Sequence, residues 1–374
     1  MICAVRVAIL VEQLLAPVPG GTGRFAGELA AALARQTGPA ETVTPWCAWH
    51  LDRSSAAMSG LPPAHRLPLG PRVLARAWER GIGPVPRGAD VVLAPTLLAP
   101  PRRGRPLVAT IHDAVPWTHP QSLTERGVAF HRRMAERVAR DADAVLVPTR
   151  AVADALTGHL LLRPARVHVI GEGASPAVTQ PPADAAARRN ALGLPAAYLL
   201  TVSTLEPRKG LEVALDALAL RPGLPLAVVG QPGWGDVDLA SAVAARRLPA
   251  DRLLVLGRLS DPDLAAVLAG AVALVAPSRA EGFCLPVLEA MTAGVPVITS
   301  DDPAMVEVGG GATDVVPVGD AAALAAACAA LEVDGARRAA LSAAGRRRAA
   351  DFSWEATGGA VWDVLRAVVE RRHL

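Results

Sequence analysis

Residues 272–300, VALVAPSRAEGFCLPVLEAMTAGVPVITS, carry the reading of the fold. An apolar run, Val272–Ala276, leads into a short loop holding Gly282. A helix-forming stretch and a second apolar run, Val295–Thr299, follow. Short continuous apolar runs bounded by turn residues suit strands buried on both faces, and a helix between them makes a parallel pairing natural. Pro286 fits the first turn of that helix, where a missing N–H costs nothing. Two carboxylates, Glu281 and Glu289, stand eight positions apart around the turn. Ligands of open parallel sheets gather beyond the carboxyl ends of the strands, which is where these two residues fall.

The pattern repeats outward from this stretch. Val5–Val11, Val91–Ala94, Leu107–Ile111, Ala144–Pro148 and Val167–Ile170 read as one series of strands. Tyr198–Val202, Leu226–Gly230, Leu253–Leu256, Val272–Ala276 and Val295–Thr299 read as a second. Amphipathic stretches such as AGELAAALARQ and LEVALDALAL lie between strands, which argues helices covering both sheet faces. The segment 173–195, rich in Pro, Ala and Gly, reads as a linker on which two domains would close over a cleft. The expectation is two doubly wound, Rossmann-like parallel-sheet domains, residues 1–175 and 185–353. The tail, 354–374, reads as one more helix, broken at Gly358–Gly359.

Composition sets bounds. With 374 residues, 51% of them hydrophobic and 20% charged, the chain has material for two cores. No apolar run is long enough for a membrane span, and the opening MICAVRVAILVEQLL reads as a strand without a basic leader or a cleavage site. The four cysteines, Cys3, Cys47, Cys284 and Cys328, form no C-x-x-C pair, so free thiols, no zinc and a reducing, cytoplasmic compartment are expected. The net charge of +3 is uneven: residues 1–180 hold 20 Arg against 13 Asp+Glu, and the rest hold 18 Lys+Arg against 22 Asp+Glu. RRMAERVAR, and Arg72, Arg76 and Arg80 at helical spacing, contribute to the basic excess. One reading is solvated helix faces; the other is peripheral contact with an anionic membrane leaflet, the inner membrane face. With 3% aromatic residues, interleaved stacking side chains are scarce and nucleic acid is not an expected partner.

Four places carry chemistry. In LLTVSTLEPRKGLEVAL a strand ends at Val202 and a helix starts near Leu211, so Arg208 and Lys209 lie between strand end and helix start. Two cations over helix N–H groups suit a diphosphate. Lys209 is the single lysine in the chain. Where Arg serves everywhere else, it points to a need for a compact point charge, chance survival being the alternative. The G-x-x-x-x-G-K-[ST] spacing is absent. In the opening stretch, the N–H groups of Gly282, Phe283, Cys284 and Leu285 would point from a helix N-terminus toward anions or sugar hydroxyls. Glu281 could accept hydroxyl protons there. Glu289 suits a ribose diol, or is a solvated first-turn residue favoured by the helix dipole. The third place is Gly20, Gly21 and Gly23, a glycine loop after the first strand that would hug a ligand. The fourth is TIHD, where His112 and Asp113 follow a strand directly; His112 would meet a sugar hydroxyl or serve structure alone. Glu172 stands close behind. The carboxylates of Asp141–Asp143, Asp236–Asp238 and Asp261–Asp263 imitate metal pairs, but SDPD reads as a helix cap and the first pair precedes a strand, so no metal is expected. A Gly-x-Ser-x-Gly elbow is missing.

EGFCLPVLEAMTAGVPVITSD resembles the E-x7-E signature of the family 4 retaining glycosyltransferases of the GT-B fold. STLEPRKG, TIHD, DADAVLVPT and LGRLSDPDLAAVLAGA match in order, over nearly the whole chain and most weakly at 35–90 and after 330. The resemblance implies an N-terminal acceptor-binding domain, a C-terminal domain for the nucleotide-sugar, and a last helix returning to the N-terminal domain. It implies Glu281 and the 282–284 backbone on the donor hexose, Glu289 on the ribose, Arg208 and Lys209 on the diphosphate, Arg258 and Leu259 by the base, and His112 on the sugar. Gly21, Ser203, Thr204 and Gly230 complete the implied donor-binding set. The family's Gly-Arg at the strand end is replaced by Ser203 and Thr204, so Arg208 must supply that charge, and Cys284 stands where Gly is usual. The TLEPRK form resembles a mannosyltransferase-like subgroup, which tilts the donor to GDP-mannose over a UDP-sugar; no cofactor is implied beyond this substrate. The acceptor, a glycan, lipid-linked sugar or small molecule, is not legible. Rival readings are a sugar-nucleotide epimerase of similar fold and a non-catalytic nucleotide-sugar or membrane-surface binder.

Overall fold

The computed structural model describes residues 5–233 and 238–373. The chain divides into two compact units: one comprises residues up to Pro120, Glu125–Glu172 and Ser353 onward, the other Gln121–Thr124 and Gly173–Phe352.

The first unit is built on strands β1 (Arg6–Leu10), β2 (Thr42–Cys47), β3 (His65–Arg66), β4 (Val91–Ala94), β5 (Leu107–Thr110), β6 (Ala144–Val147) and β7 (Val167–Val169). They form one parallel sheet in the order β3-β2-β1-β4-β5-β6-β7. The second unit carries β8 (Leu199–Val202), β9 (Leu226–Val229), β10 (Leu253–Gly257), β11 (Ala273–Ala276), β12 (Val297–Ser300) and β13 (Asp314–Val316), parallel in the order β10-β9-β8-β11-β12-β13. Both orders are doubly wound, so each sheet reverses direction once: between β1 and β4, and between β8 and β11. That reversal opens a crevice at the carboxyl ends of the two strands. The apolar runs VVLA, AVLV, LAVV and ALVA are buried at every position, as expected of strands covered on both faces.

Three strands escaped the pattern. β2 alternates between buried and less buried positions and contains Pro45. Trp46 accepts from the N–H of Val11, so Pro45 faces the other side, where β3 begins only opposite Trp46 and no N–H is required. β3 is two exposed residues, and β13 is three residues of which only Val315 is exposed.

Two expectations need correction. The segment 173–195 folds as helices Pro176–Thr179 and Ala185–Ala191 within the second unit, rather than as a free linker. Arg188 bonds Asp263 at 2.7 Å, and Arg189 reaches the carbonyl of Ala266 at 3.1 Å. Gly270 makes room for it, since a Cβ there would lie 2.5 Å from Arg189 Cδ. The C-terminal helix runs unbroken over Trp354–His373 within the first unit. Gly358 marks close helix packing, because a Cβ there would meet Gln36 at 2.7 Å and Ala32 at 3.1 Å. Trp362 donates to Leu33 O, and Arg366 pairs with Glu41.

The helix Gly335–Ala349 anchors the helix carrying Glu289. Arg346 donates to Ala293 O, at the end of helix Leu285–Ala293, and Arg348 donates to Val308 O and Glu307 O, at the end of helix Pro303–Gly309. Cations at helix C-termini satisfy orphan carbonyls and oppose the dipole.

Candidate functional site

The carboxyl ends of β8 and β11 flank the crevice of the second sheet, and the loops leaving them lie against each other. Gly210 takes a left-handed φ of 65°, and a Cβ there would sit 2.0 Å from Pro277 O. Arg279 N–H donates to Arg208 O at 2.7 Å. On the other flank, a Cβ on Gly230 would lie 1.7 Å from Ser203 O, and the Gly230 N–H is used by Gly257 O. Gly230 is therefore explained by backbone packing, with no N–H left for a donor.

This packing brings together residues 72 positions apart: Lys209 Nζ donates to Glu281 Oε1 at 2.7 Å. Arg208 donates from Nη1 to Glu281 Oε2 at 3.0 Å and to Ala280 O at 3.1 Å. From Nε it donates to Glu206 Oε2 at 3.1 Å, while Thr204 Oγ1 donates to Glu206 Oε1 at 2.7 Å. The two cations are thus balanced by two carboxylates. The free electropositive cradle expected from Arg208 and Lys209 is replaced by a charge-neutral network. Burial would raise the Glu281 carboxyl, but Lys209 and Arg208, with a hydrogen bond from Ser278, outweigh it and bring it to about 2. Asp302, after β12, approaches the same carboxylate: its Oδ2 accepts from the Glu281 N–H at 3.4 Å, and its Oδ1 caps helix Pro303–Gly309. Burial, with Glu281's charge adding to it, lifts the Asp302 carboxyl to about 6 against the pull of its backbone N–H bonds.

The helix after the loop starts at Leu285, with Cys284 as its cap at φ 70°. Phe283 and Leu285 point into the core, Phe283 packing edge-on against Phe352 at 5.5 Å, so only their backbone is available to a ligand. Glu289 lies beyond the first turn and is 4% exposed, which removes the solvated reading. Arg258 and Leu259 follow β10, the sheet edge two strands from β8, and Arg258 is exposed. They do not join the ion network. Burial and the Glu281 charge push the Cys284 thiol above its ordinary range.

In the first unit, Gly20, Gly21 and Gly23 form the first turn of helix Gly20–Arg35 rather than a loop. Gly20 and Gly21 face open space, whereas Gly23 packs on Pro19. His112 Nε2 lies 2.8 Å from Pro95 O, which fixes Nε2 as the donor and leaves Nδ1 as an acceptor, 3.9 Å from Glu172 Oε1. Its ring stands edge-on to Phe25 at 4.7 Å, and burial lowers its pKa, so it is held neutral. Asp113 accepts from the Val115 N–H. The remaining metal look-alikes are structural where described: Asp143 pairs with Arg102, Asp141 with Arg140, and Ser260 caps the helix at Asp263. Asp236 and Cys3 lie outside the described residues, and among those described no three His, Cys, Asp or Glu cluster as metal ligands. Cys47, Cys284 and Cys328 are free. No helix among the described residues is long and apolar enough to cross a membrane.

Sequence reasoning missed Glu206 and Asp302. Asp302 had a signal, an Asp before a Pro at a helix start. Glu206 had none beyond its place in TLEPRK.

The chain is similar to known proteins in sequence and in fold. Residues 184–348 match the family described as glycosyl transferases group 1, and residues 19–177 match glycosyltransferase family 4. An O-antigen chain mannosyltransferase B of Escherichia coli is 37% identical over 163 residues, 42% of either chain. A D-inositol 3-phosphate glycosyltransferase of Thermobispora bispora is 34% identical over 303 residues, 74% of this chain and 68% of that one. In fold, the Anabaena protein Alr3699/HepE, solved in complex with UDP and glucose, aligns over 97% of this chain and 100% of its own with a TM-score of 0.76 at 20% identity.

Proposed function

The chain belongs to glycosyltransferase family 4, and on that footing we propose that it moves a hexose, mannose in our reading, from a nucleotide-sugar to a hydroxyl acceptor with retention of configuration and without a metal. The observation that carries the proposal is the Arg208–Lys209–Glu281 network at the mouth of the second sheet's crevice. Cleavage of the bond between C1 and the phosphate oxygen sends the electron pair to the diphosphate and leaves positive charge on the sugar ring. Arg208 and Lys209, with the N–H groups opening helix Leu285–Ala293, are placed to take the diphosphate charge, a preorganised electrostatic stabilisation. Glu281 then turns from the cations to the sugar hydroxyls. In the front-face route, the acceptor oxygen bonds C1 on the side the phosphate leaves, and the acceptor proton passes to a phosphate oxygen. Glycoside and nucleoside diphosphate result. His112 Nδ1, an acceptor in a neutral ring, suits a sugar hydroxyl.

A mannosyltransferase among the relatives supports mannose, and a fold neighbour holding UDP and glucose keeps UDP-sugars in play. The helix Pro71–Glu79 supports peripheral membrane contact as part of the reading: Arg72, Arg76 and Arg80 are exposed along it, beside Val73 and Ile82.

The test is turnover of GDP-mannose and UDP-glucose with lipid-linked and oligosaccharide acceptors, the product anomer read by NMR, in EDTA. The reading expects a retained anomer, and a loss of about 100-fold or more for Lys209→Ala. Inversion, an absolute demand for a divalent ion, or wild-type turnover in Lys209→Ala would overturn it.

A further inference from the structure

Arg208 stands between two carboxylates, and only one of them faces the site. Glu281 meets its Nη1; Glu206 holds its Nε from behind. Glu206 is itself fixed. It is 9% exposed, its second oxygen accepts from Thr204, and Gly233 closes over it, since a Cβ on Gly233 would lie 2.7 Å from Glu206 Cγ. The backbone around it is pinned too: Leu205 N–H donates to Gln231 O, Gly233 N–H to Leu205 O, and Lys209 N–H to Glu206 O. An arginine side chain has four rotatable bonds to the guanidinium and loses rotamer freedom when held. A carboxylate on Nε removes that freedom before any ligand arrives and leaves the Nη face forward.

We propose that Glu206 is a positioning residue: it locks the Arg208 guanidinium so that one face meets the donor diphosphate, with Thr204 and Gly233 as its supports. The inference rests on the functional reading above, in which Arg208 contacts the diphosphate. It also explains how this chain manages with Ser203 and Thr204 at the strand end: Thr204 orients the carboxylate that orients the arginine. When donor enters, Glu281 releases Arg208 and Lys209, while Glu206 keeps its hold. One carboxylate exchanges and the other stays.

The test uses the full chain, with GDP-mannose and UDP-glucose as turnover probes and GDP and UDP binding by calorimetry. Glu206→Gln keeps the volume and an oxygen for Thr204, but turns an N–H₂ toward Arg208 Nε. Loss of a charge-assisted hydrogen bond predicts a fall in kcat of about tenfold or more, with little change in acceptor KM. Gly233→Ala, which crowds the same carboxylate, gives a smaller fall in the same direction. A merely structural Glu206 would lower Tm and act independently of Arg208. A positioning Glu206 loses its effect once Arg208 is Ala, so the double variant Glu206→Gln/Arg208→Ala matches Arg208→Ala alone. If Arg208→Ala is crippled while Glu206→Gln and Gly233→Ala turn over normally, the inference fails and the functional reading stands. An additive double variant likewise sinks the inference alone. Tighter GDP or UDP binding with unchanged kcat in Glu206→Gln would show a competing counter-ion and overturn positioning. If Arg208→Ala and Lys209→Ala keep wild-type turnover, or the wild type neither turns over nor binds these probes, both fall.

Discussion

The two sheets share a strand order yet finish differently at their carboxyl ends. In the second unit the loop after β8 is packed backbone to backbone against the loop after β11 at Gly210 and against the loop after β9 at Gly230, and four charged side chains close into a network. In the first unit the glycines after β1, Gly20 and Gly21, face open space. The polar groups there include a neutral His112 bound to a carbonyl with Glu172 3.9 Å from its other ring nitrogen, Asp113, and the pair Glu12–His50 at 2.8 Å. A doubly wound sheet supplies the crevice in both cases; the side chains decide what it can do. One end is built tight around charge, and the other leaves its glycines open.

The largest test of this contrast is a matched pair of glycine substitutions. Gly230→Ala forces a methyl group to 1.7 Å from Ser203 O, a collision with backbone, at a φ of 156°. A loss of about 3–5 kcal/mol in chemical denaturation is expected, among the largest that single substitutions give. Gly21→Ala meets nothing within 4 Å and lies in a helix turn, so stability should hold or rise by up to about 1 kcal/mol. A normal Gly230→Ala variant would break the contrast. Lost turnover in a fully stable Gly21→Ala would sharpen it, showing that the open end receives ligand.

The same contrast marks how far the sequence could be read. Strands apolar on both faces announced themselves; the two-residue edge strand β3 did not, because an edge is not enclosed, and neither did β2 beside it, with Pro45 and polar alternate positions. Arg208, Lys209 and Glu281 were legible because each sits where a strand hands over to a helix. Their mutual pairing was not, since local spacing carries no trace of a contact between residues 72 apart. Glu206 was hidden for another reason. A carboxylate in a loop reads as solvated until the fold shows Gly233 closing over it.

Between about pH 6.5 and 4.5 acid should pull the two units in opposite directions; below that, Glu281, held at about 2 against 4.5 unfolded, costs the second unit stability as well. Asp302 titrates at about 6 in the folded chain against 3.8 unfolded, so the folded state holds the extra proton between those values and Asp302 costs stability as pH rises through the window. His112 is shifted the other way: its folded pKa lies below 6.5, the unfolded state binds the proton first, and stability is lost as pH falls below about 6.5. Asp302→Asn keeps the helix cap and should gain about 1–3 kcal/mol at pH 8, fading below about pH 4. Tryptophan fluorescence reports mainly the first unit, which holds six of the seven tryptophans, and hydrogen exchange in β11 and β12 reports the second. A uniform pH response of the two signals, or no gain in Asp302→Asn at pH 8, would count against the assignment.

The smallest expected effect lies in the turn that opens helix Leu285–Ala293. Cys284 adopts φ 70°, ψ 69°, a conformation natural to glycine. An L-residue there costs about 1–2 kcal/mol, and replacing it with glycine returns about 0.4–1 kcal/mol of unfolded-state entropy to the other side. Cys284→Gly should therefore stabilise the chain by roughly 0.5–1 kcal/mol in urea denaturation. Burial and the Glu281 charge hold the thiol in its neutral form, and under the proposed function it would stand as a small apolar wall beside Glu281. Removing that wall should widen the sugars accepted while leaving turnover of the preferred one nearly unchanged. A destabilised Cys284→Gly would mean that the packing of the thiol outweighs the strain it imposes; an unaltered sugar preference would remove Cys284 from the pocket wall.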